Sequence, residues 1–428
     1  MGKHTRQNGK VAVSAEEMRS RNLRLIGLFA GVLLICGAFV LGFGLRGNAT
    51  VISALGLSSL NGSDTTTVAA SDSTYASLAA RLNEVINLLS EESLDSYDLD
   101  TATQAVLDAF ADTTEDAYLC YYTADRYATL LADTSSKYSG IGVLFSEYNG
   151  RAYVVDVFEG SEAEAAGVEE GDFVVAIDGD RSFDWTAAEV VAAISSKSGE
   201  DIVITWQRAS SLDDTSGEEY TTTLTCSDYT EENVSIALYE GTVGYIQLKQ
   251  ITSNAADLVA EAIAQLTAAG ATSFILDLRD NPGGYLTQAV DIASLFVKSG
   301  TIVRIETKSA ETTKNATGIS TTEGTDAPLV VLVNENTAAA AEVIAAALQD
   351  NSRATIVGTT TMGKGSVQVT RELSFGGALR YTAAYYLTPN GNDIDGVGIV
   401  PDIEVSLSAS EDNQLLLAIE TALNLSEG

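Results

Sequence analysis

Buried-strand and helix patterns alternate along the second half of the chain, and this alternation limits the fold more than any other feature of the sequence. After residue 229, GTVGYIQLKQ and the apolar run SFILDLRDNPGG read as strands, with helices predicted over 255–268 and 286–297. A second unit follows, in which the strand pattern APLVVLVNENT precedes the helix pattern AAAAEVIAAALQD, and an amphipathic helix is predicted near 413–423. Such alternation is typical of a sheet covered by helices, so an α/β domain is predicted over 229–428.

Two segments of different character precede this domain. Residues 46–73 are rich in Gly, Ser, Thr and Asn, which indicates a flexible linker. Residues 74–136 contain three segments with apolar residues at three- and four-residue spacing, and this pattern indicates short amphipathic helices. We therefore predict an N-terminal helical region over 74–136.

The N-terminus contains an uncharged apolar stretch, LIGLFAGVLLICGAFVLGFGL, between Arg24 and Arg46. Its length suits a helix that crosses a bilayer, so residues 25–45 are predicted to be a transmembrane anchor. Lys and Arg residues are frequent before it and absent between Arg46 and Arg81, which predicts that residues 1–24 remain cytoplasmic while the rest is exported. A cleaved signal peptide is the alternative, but the long apolar run and the lack of a clear cleavage site count against it.

The composition excludes several classes of function. The net charge of −35, without a basic cluster in the second half, argues against nucleic-acid binding. His4 is the only histidine and lies in the basic tail, so the folded part cannot build a Ser-His-Asp triad, a Cys-His pair or a His-ligated metal site. The three scattered cysteines do not make a disulfide framework or a zinc site. No metal and no cofactor are expected.

From Tyr138 onward the pattern changes to strands separated by turns. The stretch GIGVLFSEYNGRAYVVDVFEGSEAEAAGVEEGDFVVAIDGDR resembles a PDZ domain, which we assign to residues 137–228. The resemblance implies that backbone N–H groups of one loop bind the C-terminal carboxylate of a peptide that adds to the sheet edge. A plain β-hairpin with glycine turns is the alternative reading of the GIGV motif alone. The loop consists of Gly140, Ile141, Gly142 and Val143.

Three motifs occur in order in the α/β domain: DLRDNPGG, NENTAAAAEVIAAALQD and GTTTMGKGSVQ. Their order and spacing resemble those of the carboxy-terminal processing, or tail-specific, serine peptidases, and the match extends over about residues 75–428. The resemblance implies a crotonase-like serine peptidase core joined to the PDZ domain. With the helical region and the single N-terminal transmembrane helix, the expected fold class is a multidomain α+β or α/β protein.

In that family a serine attacks the peptide carbonyl and an unprotonated lysine acts as its general base, which agrees with the lack of histidine in the folded part. The family's lysine motif falls on Lys364, between two glycines that let the backbone approach the site. Gln368 matches a glutamine that orients the lysine in some members, and Asp350 matches an aspartate implicated in others. An ordinary strand residue and a structural carboxylate at a helix end are the respective alternatives.

The NPGG turn at 281–284 resembles the family's oxyanion contributor, because its glycines leave a backbone N–H group free to face a developing negative charge. The sequence does not decide between Gly283 and Gly284. The second donor in the family is the N–H group that follows the nucleophile, which is Ala340 here. A simple glycine turn is the alternative.

The family pattern around the nucleophile runs N-x-x-(S/T)-A-S-A-(S/A)-E, and it places the catalytic serine at Ala339. A methyl group cannot attack a carbonyl, so the chain as written is predicted to be inactive. Thr337 carries the nearest hydroxyl, but a displacement of two residues would misplace it relative to Lys364. Either an active enzyme was inactivated by substitution, which the retention of the other motif residues favours, or the chain is a natural pseudoprotease.

The resulting interpretation is a membrane-anchored, extracytoplasmic Ser-Lys endopeptidase whose PDZ domain captures the C-terminal tails of unfolded or exported proteins. A non-catalytic PDZ protein that sequesters such tails is the alternative. The resemblance also implies homodimers through the helical terminal regions. The sequence leaves open whether an activating adaptor is needed.

Overall fold

The computed structural model describes residues 73–132, 139–228, 233–319, 324–408 and 411–427. The predicted basic tail at 1–24, the anchor at 25–45 and the linker up to residue 72 lie outside these ranges. Within them, no helix has the length and apolar character needed to cross a membrane. The chain divides into two compact units, one up to Tyr97 and the other from Asp98 onward.

The first unit contributes helix α1 (Ser73–Glu92), in which Leu78, Leu82, Val85, Leu88 and Leu89 are exposed. The second unit begins with helix α2 (Leu99–Ala111), strand β1 (Cys120–Tyr122) and helix α3 (Ala124–Ala132). Helix α2 begins where the Asp98 carboxylate accepts a hydrogen bond from the Thr101 amide at 2.8 Å, a typical N-cap. The three predicted helices are therefore confirmed, whereas strand β1 was not predicted.

Residues 139–228 form a second body of β structure. Its elements are β2 (Ser139–Gly140), β3 (Val143–Tyr148), β4 (Arg151–Val157), α4 (Glu162–Ala165), β5 (Asp172–Ile177), α5 (Ala187–Ser195), β6 (Asp201–Ala209), β7 (Gly217–Thr225) and β8 (Ser227–Asp228). Strands β3 to β7 pair antiparallel in sequence order, and β2 pairs with β8. Ile141, Val154 and Trp206 lie in its core and are fully buried.

The predicted α/β domain contains the remaining elements. They are β9 (Val234–Tyr239), β10 (Val243–Leu248), α6 (Ala255–Ala268), β11 (Ser273–Asp277), α7 (Leu286–Phe296), β12 (Thr301–Thr307), β13 (Glu311–Asn315), β14 (Leu329–Val333), α8 (Ala340–Asp350), β15 (Thr355–Gly358), β16 (Ser366–Glu372), β17 (Ala378–Leu387), β18 (Ile403–Glu404) and α9 (Asn413–Glu427).

A six-stranded sheet in the order β18-β15-β14-β11-β10-β9 forms the centre of this domain, and all neighbours except β9 pair in parallel. Val331 packs in one apolar cluster with residues of α6, α7 and α8, whereas its neighbour Val330 packs in another with residues of α9. Both faces of the sheet are therefore covered by helices. This arrangement explains why the strands read as continuous apolar runs rather than as alternating ones.

A second sheet has the order β1-β17-β12-β13, with β16 also paired to β17. Strand β1 pairs antiparallel with β17, and Tyr121 lies opposite Leu379. The region predicted to contain short helices, 74–136, thus also contributes a strand to a sheet of the α/β domain. A strand of only three residues between two helices is too short to be recognised by its periodicity.

The helix predictions in the α/β domain are largely confirmed. Helix α6 has the predicted bounds, α7 ends one residue before the predicted end, and α9 extends past 423 to Glu427. The start of α8 differs from the prediction: the helix begins at Ala340 rather than at Ala338, the first alanine of the run. The two preceding alanines belong to the turn between β14 and α8.

Candidate active site

The turn before α8 holds Ala339 in a strained backbone conformation. Its φ is 51° and its ψ is −116°, a combination that L-residues rarely adopt. Such a conformation costs on the order of 1–3 kcal/mol and tends to persist where a site requires it. The residue lies in the segment that joins the end of β14 to the start of α8. This is a sharp strand-turn-helix connection, the geometry that presents a nucleophile at the end of a sheet in some hydrolases.

The NPGG turn lies directly against this connection. A β-carbon placed on Gly283 would lie 2.9 Å from the Ala340 nitrogen and 3.0 Å from the β-carbon of Ala339. The φ of Gly283 is also positive, at 92°, so any other residue there would be both strained and blocked. The Ala338 amide donates to the Asn281 carbonyl at 2.9 Å and fixes the two segments together.

The free N–H groups in this region are those of Gly284 and Ala340. The Gly283 amide donates to Oδ1 of Asn281 at 2.9 Å and is therefore engaged. Among the residues that the structure describes, the amides of Gly284 and Ala340 make no hydrogen bond as donors. Where the sequence left the choice between the two glycines open, the hydrogen bonds thus favour Gly284 as the free donor.

The loop that carries Lys364 packs closely on the segment 395–398. A β-carbon on Gly363 would lie 2.9 Å from the Gly398 nitrogen, and one on Gly365 would lie 2.3 Å from the Asp395 nitrogen. Both glycines of the GKG motif are therefore required for close backbone contact, and the contact is with this segment. The Lys364 side chain also lines a pocket of about 270 Å³ together with Tyr118, Ser366 and Met362.

The Lys364 ammonium lies in surroundings that disfavour its charge. Burial lowers its pKa below the ordinary value of 10.5, and Arg380 lowers it further, although Glu147 and Glu342 act in the opposite direction. Its Nζ donates a hydrogen bond to the backbone carbonyl of Glu147 in strand β3 at 3.2 Å. The lysine of the α/β domain thus contacts the domain that was assigned as PDZ.

A buried carboxylate joins the Ala339 turn to the Lys364 loop. Oε2 of Glu342 accepts hydrogen bonds from the amides of Ala339 and Lys364, both at 2.8 Å. Oε1 accepts from the Gly363 amide at 2.7 Å and from the Thr361 hydroxyl at 2.6 Å. Burial raises the pKa of Glu342 to about 7, although each of these hydrogen bonds favours the ionised form. Sequence reasoning assigned no role to Glu342, although its position in the first turn of a helix is typical of a cap.

A second buried carboxylate connects the two domains. Glu147 of β3 forms an ion pair with Arg380 of β17, with 2.7 Å between Oε1 and Nη2. Burial opposes ionisation of Glu147, but Arg380 and then Lys364 outweigh this effect and lower its pKa. These residues are far apart in the sequence, and no local pattern could have paired them.

Comparison with known proteins places the chain in a family. A model of peptidase family S41 matches residues 242–405, and a PDZ domain model matches residues 153–208. The carboxyl-terminal-processing protease of Synechocystis sp. is 35% identical over 310 residues, which cover 70% of this chain and 70% of that protein. The chain belongs to peptidase family S41. Its relatives include the "Probable CtpA-like serine protease" of Staphylococcus aureus (strain N315), which is 31% identical over 330 residues.

This match covers 76% of this chain but only 65% of the length of the staphylococcal protein. A solved structure, the photosystem II D1 C-terminal processing protease, is similar with a TM-score of 0.60 over 80% of this chain and 90% of that chain. The sequence identity in that comparison is 24%, so it supports the fold alone. The S41 fold with a PDZ domain, expected from the sequence, is thus confirmed.

Two of the residues that the family resemblance suggested form no hydrogen bond to Lys364 within the described part of the chain. Asp350 is at the opposite end of α8, about 16 Å along the helix from Ala339 at the usual rise per residue, and it accepts a hydrogen bond from the Asn390 amide at 2.8 Å. Gln368 donates to the Ser366 hydroxyl at 3.0 Å rather than to the lysine. These contacts match the structural alternatives for Asp350 and Gln368.

The hydroxyl of Thr337 is also committed elsewhere. It donates to the Leu278 carbonyl at 2.8 Å and accepts from the Asn334 amide at 3.0 Å, and the residue is fully buried. A hydroxyl that bridges two backbone groups inside the turn stabilises the turn and is not available for attack. The prediction that Thr337 does not act as a nucleophile agrees with this geometry.

The loop predicted to bind a carboxylate has its carbonyl groups, but not all of its amides, engaged. The Ile141 carbonyl accepts from the Ala163 amide at 3.2 Å, and the Gly142 carbonyl accepts from the Phe158 amide at 2.9 Å. Within the described part of the chain, the amides of Ile141 and Gly142 donate no hydrogen bond. Adjacent buried N–H groups without an acceptor are suited to an anionic partner.

Proposed function

We propose that the chain is the scaffold of a serine endopeptidase of the Ser-Lys type, in which Ala339 occupies the position of the nucleophile. The strained backbone of Ala339 is the observation that carries this proposal. An alanine gains nothing from a left-handed conformation at the start of a helix, whereas a nucleophile held there would be exposed next to free N–H donors. The same alanine leaves the chain as written without peptidase activity.

With a serine at 339, the reaction would use groups that are present. The serine oxygen would attack the scissile carbonyl carbon while its proton moves to Nζ of Lys364, whose lowered pKa favours the free amine. The negative charge on the carbonyl oxygen would be stabilised by the amides of Gly284 and Ala340. As a free amine, Nζ of Lys364 would accept the proton through its lone pair, while one of its N–H groups can keep the hydrogen bond to the Glu147 carbonyl.

The substrates proposed are unfolded or exported proteins with a free C-terminal tail. The tail carboxylate would bind to the amides of the loop at 140–143, and the adjoining residues would add to the edge of the PDZ sheet. The two unpaired amides at Ile141 and Gly142 support this role. The printed name of the Synechocystis relative, a carboxyl-terminal-processing protease, is consistent with such a substrate.

The location proposed is the outer side of a membrane, with residues 25–45 as a single anchor and the PDZ and peptidase domains outside the cytoplasm. The apolar stretch and the asymmetry of the flanking basic residues support it. Homodimers and an activating adaptor belong to the same proposal and rest on the family resemblance.

A second candidate function is that of a non-catalytic scaffold that binds tails through the PDZ domain. The alanine at 339 favours it, because this chain cannot form an acyl-enzyme. The experiment that separates the two is the substitution Ala339→Ser followed by incubation with an unfolded protein. Cleavage that appears only in the variant supports the peptidase scaffold, whereas binding without cleavage in both chains supports the second candidate.

A further inference from the structure

The four hydrogen bonds to Glu342 come from two separate segments. Ala339 precedes the helix that carries Glu342, whereas Thr361, Gly363 and Lys364 belong to the lysine loop. A glutamate in the first turn of a helix commonly accepts the amide at the start of that helix, and this explains the bond to Ala339 alone. The three bonds to the lysine loop go beyond a cap and connect the two halves of the site.

We propose that Glu342 is a positioning residue for the peptidase reaction, which holds the backbone of residue 339 and that of Lys364 on one carboxylate oxygen. The inference rests on the proposed function, since it concerns the distance between the nucleophile position and the base. Glu342 touches neither substrate nor the reacting atoms in this role. It acts through the residues on either side of the proton transfer, for which small displacements are costly.

Only a carboxylate can accept all four of these hydrogen bonds. The side chain is fully buried, and both of its oxygens face hydrogen-bond donors only. A glutamine in the same place would turn an NH₂ group toward either the pair of Ala339 and Lys364 amides or the pair of Gly363 and Thr361 donors. Two donors would then face each other in a buried site, and at least one backbone segment would have to move away.

The contribution of Thr361 provides a graded variant. Its hydroxyl donates to Glu342 and accepts from the Ile399 amide at 2.7 Å, so Thr361→Val removes one of the four donors and also the acceptor of the Ile399 amide, but it leaves the amides of Ala339, Gly363 and Lys364 bound to Glu342. Glu335 provides the matched control in the same turn. It is an exposed glutamate whose carboxylate accepts a single hydrogen bond, at 2.7 Å from the Thr359 hydroxyl at the start of the lysine loop, and it accepts none from Thr361, Gly363 or Lys364.

The first arm of the experiment needs no activity. Amide hydrogen exchange is measured in the full chain and in its Glu342→Gln and Glu335→Gln variants. We expect the amides of Ala339, Gly363 and Lys364 to be protected in the parent chain and to exchange at least about tenfold faster in Glu342→Gln, while the amides of β14 stay unchanged and Glu335→Gln resembles the parent. Unchanged protection of the three amides in Glu342→Gln would overturn the proposal.

The second arm uses the Ala339→Ser chain and cleavage of an unfolded protein. Glu342→Gln should lower kcat about 100-fold with KM within about threefold, since proton transfer but not tail binding is affected. Thr361→Val should lower kcat less, and Glu335→Gln should leave both constants unchanged. A loss that appears mainly in KM, or no loss of kcat at all, would contradict a positioning role.

The two arms separate this inference from the proposed function. No cleavage by Ala339→Ser counts against the proposed function, and the exchange arm then decides alone whether the carboxylate holds the two segments. If Glu342→Gln unfolds the chain, loss of protection will extend to β14, and the comparison moves to Thr361→Val. In that variant, slower cleavage with unchanged β14 protection supports the proposal and unchanged kcat contradicts it.

Discussion

The amides of Ala339 and Lys364 share a single acceptor, because each nitrogen lies 2.8 Å from Oε2 of Glu342. The two residues belong to different segments, one before α8 and the other before β16. Their common acceptor brings the proposed nucleophile position next to the loop that carries the proposed base. This relationship is present although residue 339 has no functional side chain.

The first prediction concerns the strain at residue 339. Ala339→Gly should leave the free energy of unfolding unchanged or raise it slightly, because relief of about 1–3 kcal/mol of backbone strain offsets the entropic cost of glycine, about 1 kcal/mol. The control is Ala264→Gly at an exposed position within α6, which should lower it by about 1 kcal/mol. Denaturant unfolding measures both. Equal destabilisation by the two changes would show that residue 339 is not strained.

The second prediction concerns the stability cost of the buried lysine. Its pKa in the folded state lies below the ordinary 10.5, so its contribution to stability is fully present above that value and is lost as the pH falls through the folded pKa. Lys364→Met should therefore raise Tm near pH 7, and the difference from the parent should shrink as the pH approaches 10.5. A difference in Tm between Lys364→Met and the parent chain that does not change with pH would contradict the lowered pKa of Lys364.

The third prediction concerns tail recognition by the PDZ loop. A peptide with a free apolar C-terminus should bind the full chain at least about tenfold more tightly than its C-terminal amide, because the loop amides would lose their anionic partner. Titration of both peptides by fluorescence anisotropy measures the difference. Equal affinities would remove the claim that this loop reads a carboxylate.

A matched pair of variants tests the same loop. A β-carbon on Gly142 would lie 2.1 Å from the Ser161 β-carbon, whereas one on Gly179 would meet no atom within 4 Å, although both glycines have a φ of 84°. Gly142→Ala should therefore displace the loop and weaken binding of the free-acid peptide, while Gly179→Ala should carry the same backbone strain without this effect. Equal loss of binding in the two variants would indicate a general effect of strain.

Much of the fold could be predicted because its local signals are strong. The bounds of α6 follow from helical spacing, and the two-faced apolar pattern of β11 and β14 indicates a covered parallel sheet. Strand β1 was missed because three residues carry no period, and its pairing with β17 depends on residues more than two hundred positions away. Pairing at this range is a tertiary property that local patterns do not contain.

The candidate site, too, could be predicted only in part from the sequence. Motif order placed Ala339, Lys364 and the NPGG turn together, and the close contacts of Gly283 with Ala339 and Ala340 agree with that placement. The motifs could not indicate that the Gly283 amide is engaged by Asn281 or that Glu342 bridges the two segments, because these facts depend on the direction of individual hydrogen bonds. The motifs also could not indicate that Asp350, eleven residues after Ala339, lies at the far end of α8, because this depends on where the helix begins and ends.

The most direct test of the central claim is single-turnover cleavage of an unfolded casein substrate by the purified full chain and its variants. We expect no cleavage by the parent chain and cleavage by Ala339→Ser, at a rate that rises with pH to a midpoint below 10.5 as the lysine loses its proton. Adding Lys364→Ala or Lys364→Arg should abolish the activity, because neither side chain can accept the serine proton. Cleavage by the parent chain, or none by a folded Ala339→Ser variant that binds tails, would contradict the assignment of residue 339 as the nucleophile position.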